Sequence, residues 1–111
     1  INISITEGYP PVINEPVATG VARAAAGEIV GKQNVVESEF PSMGSEDFAY
    51  YLDHVRGAFV RFGARPPDWE PIPLHSPAFD IDEKVLTVGA RFYDRVARLA
   101  HEQIESLVNG V

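Results

Sequence analysis

The sequence contains no cysteine among its 111 residues, so disulfide bonds and cysteine-ligated metal sites are excluded within it. It also lacks an apolar run near the roughly 20 residues that a membrane-spanning helix needs, and we expect no association with membranes. No basic segment followed by an apolar one opens the chain, so no secretory signal is visible. We expect a cytoplasmic protein.

Basic residues are also scarce. Nine Lys and Arg stand against 16 Asp and Glu, which gives a formal net charge of −7. Nucleic acid is disfavoured as a partner, because phosphate binding requires a basic surface. The hydrophobic fraction of 45% and the charged fraction of 23% are ordinary for a folded domain. The sequence has no serine nucleophile elbow, phosphate-binding glycine loop or H-E-x-x-H zinc motif.

Hydrophobic periodicity predicts three strands and three helices. The predicted strands cover 1–6, 35–36 and 58–62, and the predicted helices cover 15–30, 45–52 and 82–108. Asn14 is expected to cap the first helix and Gly31 to end it. Asp80 and Glu83 have the spacing of a capping box at the start of the last helix. Five prolines between residues 63 and 79 predict a long loop there.

The order of these elements from residue 35 onward indicates an α/β fold, with helices packed on a mostly parallel sheet. Loops 39–45 and 63–79 then leave the same edge of the sheet, where ligands bind in open α/β folds. The last helix would be about 39 Å long, longer than a small domain of about 30 Å. The two strands predicted from residue 35 onward also make a poor sheet. Since the chain starts at Ile1 without a methionine, we expect part of the fold to lie upstream.

His75 is the strongest candidate for chemistry. It lies between Pro73 and Pro77, which restrict the backbone and can aim one imidazole at a fixed point, as a metal ligand requires. The alternative is an inert histidine in a surface loop. The residues alone favour that alternative, because a zinc site needs three or four ligands and His75 is one.

Gly44 and Ser45 form a second candidate, at the start of the predicted helix 45–52. Free N–H groups at a helix start could hold a carboxylate, and Gly44 permits close approach of the backbone. The alternative is an ordinary capped helix start, which the residues alone again favour. Trp69, in the long loop, either covers apolar surface or lines the cleft. His54 and His101 are interpreted as a helix-end residue and a solvated residue.

Four stretches of the chain together resemble the C-terminal end of one enzyme family. They are Gly8–Asn14 (GYPPVIN), Pro41–Tyr51 (PSMGSEDFAYY), Gly57–Phe59 (GAF), and Pro73–Pro77 (PLHSP) followed by Phe79–Asp80. Their order and spacing are similar to the aminoacylase/carboxypeptidase-G superfamily of metallopeptidases, in the branch of hippurate hydrolases, N-acyl-amino-acid amidohydrolases and auxin-conjugate hydrolases. The resemblance implies that residues 11–111 are the C-terminal part of a zinc-peptidase-like catalytic α/β domain. Residues 1–10 would be the last strand of a lid (dimerisation) domain.

By this resemblance, His75 is a ligand to one of two divalent metal ions, usually zinc or manganese, and the backbone of Gly44 and Ser45 lines the substrate site. Ser45 departs from the pattern, because a second glycine is common there; the N–H is kept, but the side chain can alter the fit. The family's other ligands and its general-base glutamate lie upstream, so no catalytic residue is implied within this chain. The implied reaction is hydrolysis of an N-acyl amino acid by metal-activated water.

The implied partners are a small-molecule N-acyl amino acid, the upstream part of the same protein, and a second copy joined through the lid domain. We expect the chain alone to be inactive. The alternative hypothesis is a self-standing binding module that kept an amidohydrolase-like tail without the chemistry. Upstream sequence distinguishes the two hypotheses: further metal ligands and a Glu-Glu pair favour the enzyme, and a start methionine just before Ile1 favours the module.

Overall fold

A computed structural model describes residues 1–6 and 8–109 of the chain, with side chains described up to residue 105. Its helices are α1 (Pro16–Val30), α2 (Ala49–Leu52) and α3 (Lys84–Asn109), and a single 3₁₀ turn, Lys32–Asn34, follows α1. Extended and irregular segments connect them. Within the described helices, none is both long and apolar enough to cross a bilayer.

Helix α1 begins at a cap other than the predicted one. Glu15 is the N-cap residue, and its carboxylate accepts a hydrogen bond from the N–H of Ala18 at 2.8 Å. That bond lowers the pKa of Glu15, because it stabilises the ionised form. Pro16 follows in the first turn, where a missing N–H costs nothing. Gly31 ends the helix with a φ of 85°, as predicted, in a region that favours glycine.

The starts of the other two helices also differ from the prediction. The capping box at Asp80 and Glu83 is wrong: Asp82 accepts from the N–H of Lys84 at 3.0 Å, and α3 starts at Lys84. The predicted helix 45–52 forms only over its last four residues. The Glu46 carboxylate accepts from the N–H of Phe48 at 3.2 Å, a local turn that competes with the first helical turn.

The prediction of an α/β fold with a parallel sheet is wrong for the described residues. No strand forms at 1–6, 35–36 or 58–62, and no ladder is present in residues 1–6 and 8–109. A strand requires backbone hydrogen bonds to a neighbouring strand, and alternating side chains cannot supply that neighbour. The shared sheet edge expected for loops 39–45 and 63–79 is therefore absent from this structure. The division at residue 10 between two domains stays a prediction.

The core is a contact between α1 and α3. Ala22 and Ala25 present a small, flat surface on α1, and the ring of Phe92 on α3 covers it; Ala25 is 0% exposed and Phe92 is 5% exposed. Val96 and Leu99 extend the contact along α3. Phe62, from the extended segment, places its ring edge-on to Phe92 at a centroid distance of 5.2 Å.

An ion pair flanks this core. The Arg95 guanidinium on α3 binds the Glu28 carboxylate on α1 through two hydrogen bonds, Nε to Oε2 at 2.6 Å and Nη2 to Oε1 at 2.9 Å. The bidentate geometry fixes the two helices relative to each other. It also lowers the pKa of Glu28, because the guanidinium hydrogen bond stabilises its ionised form. Glu28 is exposed and Arg95 is half-buried, so solvent screens the pair and it orients the helices more than it stabilises them.

The chain exposes far more surface than a self-contained domain of its mass. Its accessible area is 9594 Å². A compact monomer of 12.2 kDa exposes about 6,000 Å². The radius of gyration is 17.4 Å, against about 13 Å for a compact domain of this length. Many large apolar side chains consequently remain in contact with solvent, including all three isoleucines of residues 1–6.

Replacing Phe92 with alanine should unfold this thin core. A buried phenylalanine truncated to alanine costs about 3–5 kcal/mol, a large share of the stability of a small domain. We expect Phe92→Ala to lose most of its far-ultraviolet circular dichroism helix signal and its cooperative thermal transition. The matched control is Tyr93→Ala, one residue along α3 and 70% exposed, which should change stability by less than about 1 kcal/mol. Equal losses in both variants would contradict this core.

Candidate functional site

The loop that carries His75 is closed at its own ends. The N–H of Asp82, just before α3, donates to the carbonyl of Ala64 at 2.8 Å. This single backbone bond joins residues that are 18 positions apart and makes the intervening segment an Ω-like loop. Because Phe62, two residues before the closure, packs on Phe92, the loop is anchored to the helix pair.

Three backbone turns order the interior of this loop. The N–H of Trp69 donates to the carbonyl of Pro66 at 3.1 Å. The N–H of Ser76 donates to the carbonyl of Pro73 at 2.9 Å, and the N–H of Phe79 donates to the carbonyl of Ser76 at 3.0 Å. The Arg65 guanidinium also donates to the carbonyl of Trp69. Proline favours such turns because its ring fixes φ near the value that they need. The proline-rich sequence therefore forms a loop with a defined path.

His75 lies inside the second of these turns, and its side chain is exposed. Within the part of the chain that the structure describes, its imidazole has no hydrogen-bond or ion-pair partner. Both ring nitrogens are thus available for an incoming ligand. The role of His75 as a metal ligand stays a prediction.

Gly44 and Ser45 are exposed and lie outside any helix. The predicted helix start at Ser45 is wrong, since α2 begins at Ala49, so no helix dipole supports anion binding there. The N–H of Gly44 donates to the hydroxyl of Ser42 at 3.3 Å. No hydrogen bond, ion pair or shared cavity among the described residues joins Gly44 or Ser45 to His75.

The two predicted site segments are connected only indirectly. The ring of Phe48, three residues after Ser45, packs on the ring of Phe59 at a centroid distance of 5.6 Å. Phe59 in turn lies five residues before Ala64, where the closed loop begins. The extended segment 57–63 is therefore the structural bridge between the two candidate regions.

Sequence reasoning missed the residue that holds this bridge. The side-chain amide of Asn14 accepts from the N–H of Phe59 at 2.7 Å and donates to the carbonyl of Phe59 at 3.1 Å. Next to it, the N–H of Glu15 donates to the carbonyl of Gly57 at 2.9 Å. Asn14 was interpreted as a helix cap from its local sequence. A partner 45 residues away leaves no local signal.

The loop also borders a partly open cavity of about 230 Å³. Trp69, Leu74 and Phe79 line it from the loop, and Phe62 lines it from the extended segment. This answers the open question about Trp69, which borders a hollow within its own loop. Leu74, next to His75, borders the cavity and is 75% exposed.

The described residues can supply one metal ligand, His75, but not a complete metal site. No group of three or more His, Asp or Glu side chains that could hold a metal occurs among the described residues. A protein zinc site takes three or four protein ligands. His75 can supply one nitrogen donor, and further donors have to come from other residues.

Comparison with known families places the chain in one of them. Residues 1–99 match Peptidase family M20/M25/M40, and the chain belongs to this family. The match includes Gly44, Ser45 and His75. The family is one of hydrolases, and its members are generally metal-dependent. This confirms the resemblance to the amidohydrolase branch that the sequence motifs indicated.

Individual relatives are similar over most of the chain. A Bacillus subtilis protein provisionally named an amidohydrolase is 40% identical over 97 residues, which cover 86% of this chain and 24% of that protein. The N-acetyl-L-cysteine deacetylase of Bacillus subtilis is 37% identical over 110 residues, covering 97% of this chain and 24% of the relative. An IAA-amino acid hydrolase of Arabidopsis thaliana is 34% identical over 93 residues, which cover 80% of this chain and 20% of that protein.

The chain thus spans about a quarter or less of the length of these relatives. No solved structure is significantly similar to it.

Removing the Asn14 amide should loosen the bridge to the His75 loop. Asn14→Ala deletes two hydrogen bonds to Phe59, each contributing about 0.5–1.5 kcal/mol. We expect the Phe59 amide to exchange its hydrogen about tenfold faster, measured by nuclear magnetic resonance. The matched control is Asn34→Ala, which removes a side-chain bond to Val30 at the other end of α1. An unchanged Phe59 exchange rate in Asn14→Ala would contradict the two hydrogen bonds between Asn14 and Phe59.

Proposed function

We propose that this chain works as part of a metal-dependent amidohydrolase that cleaves N-acyl amino acids, with His75 as one metal ligand. The observation that carries the proposal is the exposed, unpartnered imidazole of His75 on a closed and ordered loop, in a chain of the M20 family. The names of two relatives support the substrate class, since one is a deacetylase of N-acetyl-L-cysteine and the other hydrolyses IAA-amino acids.

Each candidate residue has a definite role in this proposal. His75 contributes one nitrogen donor to a centre of two divalent ions, zinc or manganese. The metal centre, when bound, supplies activated water. The N–H of Ser45, for which the described residues supply no acceptor, and the backbone at Gly44 contact the substrate. The Glu46 carboxylate accepts from the N–H of Phe48, so it is directed at its own backbone and need not oppose an anionic substrate.

The remaining parts of the proposed centre come from other residues. The chain spans about a quarter of its relatives, and its described residues hold no complete set of ligands. The other ligands and the general base are assigned to the upstream part of the same protein. A homodimer formed through the lid domain belongs to the same proposal, with residues 1–10 as a lid segment.

The isolated chain should not catalyse the reaction. We expect no turnover of N-acetyl-cysteine or N-benzoyl-glycine with added zinc or manganese, because one imidazole cannot assemble a metal centre. The measurement is release of free amino acid, followed by a colorimetric amine assay. The Bacillus subtilis N-acetyl-L-cysteine deacetylase serves as the positive control under the same conditions. A rate near that of the deacetylase would show that the chain is a complete enzyme.

In the full-length polypeptide that contains this sequence, His75→Ala should remove activity. Loss of a residue that hydrogen-bonds a metal ligand lowers metal affinity or activity about 10–100-fold. Loss of the ligand itself should therefore lower the rate by more than about 100-fold. Bound metal, measured by mass spectrometry, should fall as well, and circular dichroism should stay unchanged.

The matched control for His75→Ala is His101→Ala, an exposed histidine on α3 whose imidazole contacts Glu105 at 3.2 Å. It should keep both metal content and rate. Unchanged metal and rate in His75→Ala would refute the ligand assignment. A full-length protein that binds N-acyl amino acids without metal or turnover would favour the binding-module hypothesis.

A further inference from the structure

The cavity beside the His75 loop has room for a single aromatic group. Its volume is about 230 Å³. An apolar protein cavity of about 150 Å³ is large enough to bind benzene, whereas pockets that hold a whole drug-sized ligand start at about 300 Å³. The cavity therefore suits one apolar part of a larger molecule, about the size of an aromatic ring with a short linker.

Aromatic and aliphatic residues make up most of the lining. Phe62, Trp69, Ile72 and Phe79 all border the cavity, and each is between 36% and 42% exposed. Half of each side chain is therefore packed in place, while the rest still meets water. Covering this remaining apolar surface with an apolar ligand is favourable, and aromatic rings in the lining can also stack on an aromatic ligand.

The charged residues of the lining indicate which end of an N-acyl amino acid can enter. Such a substrate has an acyl group on one side of its amide bond and an anionic carboxylate on the other. Glu70 and Asp80 border the cavity and would repel that carboxylate. Arg65 also borders the cavity, but its guanidinium donates to the carbonyl of Trp69. The lining thus disfavours the carboxylate end and favours the uncharged acyl end.

The cavity also begins next to the candidate metal ligand. Leu74 borders it and is largely exposed, which places this residue at the open side. The Cα atoms of Leu74 and His75 are about 3.8 Å apart, as in any trans peptide. In the proposed function, the amide carbonyl that is cleaved lies at the metal that His75 binds, and the acyl group starts at that carbonyl. A cavity that begins one residue from His75 is within reach of this group.

We propose that this cavity binds the acyl group of the substrate and favours an aromatic acyl group over acetyl. Trp69 and Phe79 are specificity-determining residues in this proposal. The inference rests on the proposed function, and it adds a preference for one class of acyl group that membership of the M20 family does not determine.

Replacing Trp69 with alanine tests the cavity while the turns of the loop are kept. The hydrogen bonds that order the loop at Trp69 use its backbone, namely the N–H to Pro66 and the carbonyl to Arg65. Trp69→Ala is made in the full-length polypeptide that contains this sequence. The value of kcat/KM is measured on N-benzoyl-glycine, N-acetyl-glycine and N-acetyl-phenylalanine. The matched control is Tyr93→Ala, which removes an exposed ring from α3, outside the cavity.

We expect Trp69→Ala to lower kcat/KM for N-benzoyl-glycine at least about tenfold, because the benzoyl ring loses its apolar contact. The value for both N-acetyl substrates should change less than about twofold, since an acetyl group is too small to fill the cavity. Phe79→Ala should give the same pattern, and Tyr93→Ala should leave all three values unchanged. A selective loss on N-acetyl-phenylalanine would assign the cavity to the amino-acid end, and equal losses on all three substrates would indicate a structural role. Either result would overturn the proposal.

Binding is measured separately from catalysis, with neutral probes and the same full-length variants. Saturation-transfer nuclear magnetic resonance is recorded with N-methylbenzamide and with its small counterpart N-methylacetamide. We expect a signal for the aromatic probe that is lost in Trp69→Ala and kept in Tyr93→Ala. An equal signal in both variants would contradict the proposed acyl site.

The two readouts distinguish failure of this inference from failure of the proposed function. Hydrolysis of all three substrates with equal losses in Trp69→Ala removes the acyl site and leaves the amidohydrolase. Binding of N-methylbenzamide at Trp69 without hydrolysis of any substrate refutes the amidohydrolase, and the assignment of the cavity to an acyl group fails with it.

Discussion

The packing of Phe92 on Ala22 and Ala25 is the contact on which the rest of the described structure depends. It joins the two long helices, and among the side chains that the structure describes it is the place where both helices bury residues. The extended segment packs on α3 through Phe62, and the loop with His75 begins at the end of that segment. A small hydrophobic contact thus helps to anchor the segment from which the His75 loop begins.

The helices were predictable because their signals are local. The repeat of apolar residues placed α1 and α3 within two residues of their observed bounds, and Gly31 marked the end of α1. The strands were not predictable in the same way. Alternation at residues 1–6 describes a segment that can pair, and pairing needs a neighbour that the described residues do not contain. The fold class therefore depended on information outside the pattern.

The residues of the candidate site also differ in whether a local signal predicts their structure. His75 and its prolines could be selected from the sequence, since two prolines two residues away on either side restrict the loop. The position of Gly44 and Ser45 could not, because a side-chain bond from Glu46 to Phe48 replaces the expected helical turn. Asn14 shows the general difficulty. Its amide matches a helix cap locally, but its hydrogen bonds go to Phe59.

The backbone bond between Ala64 and Asp82 has a thermodynamic consequence for any cation that His75 binds. Ordering a flexible loop costs about 1–2 kcal/mol of entropy for each residue fixed. In this chain that entropy is lost when the loop closes on itself, before an ion arrives. The backbone around His75 is then ordered in advance, and the affinity of the ion is not reduced by the ordering of that backbone.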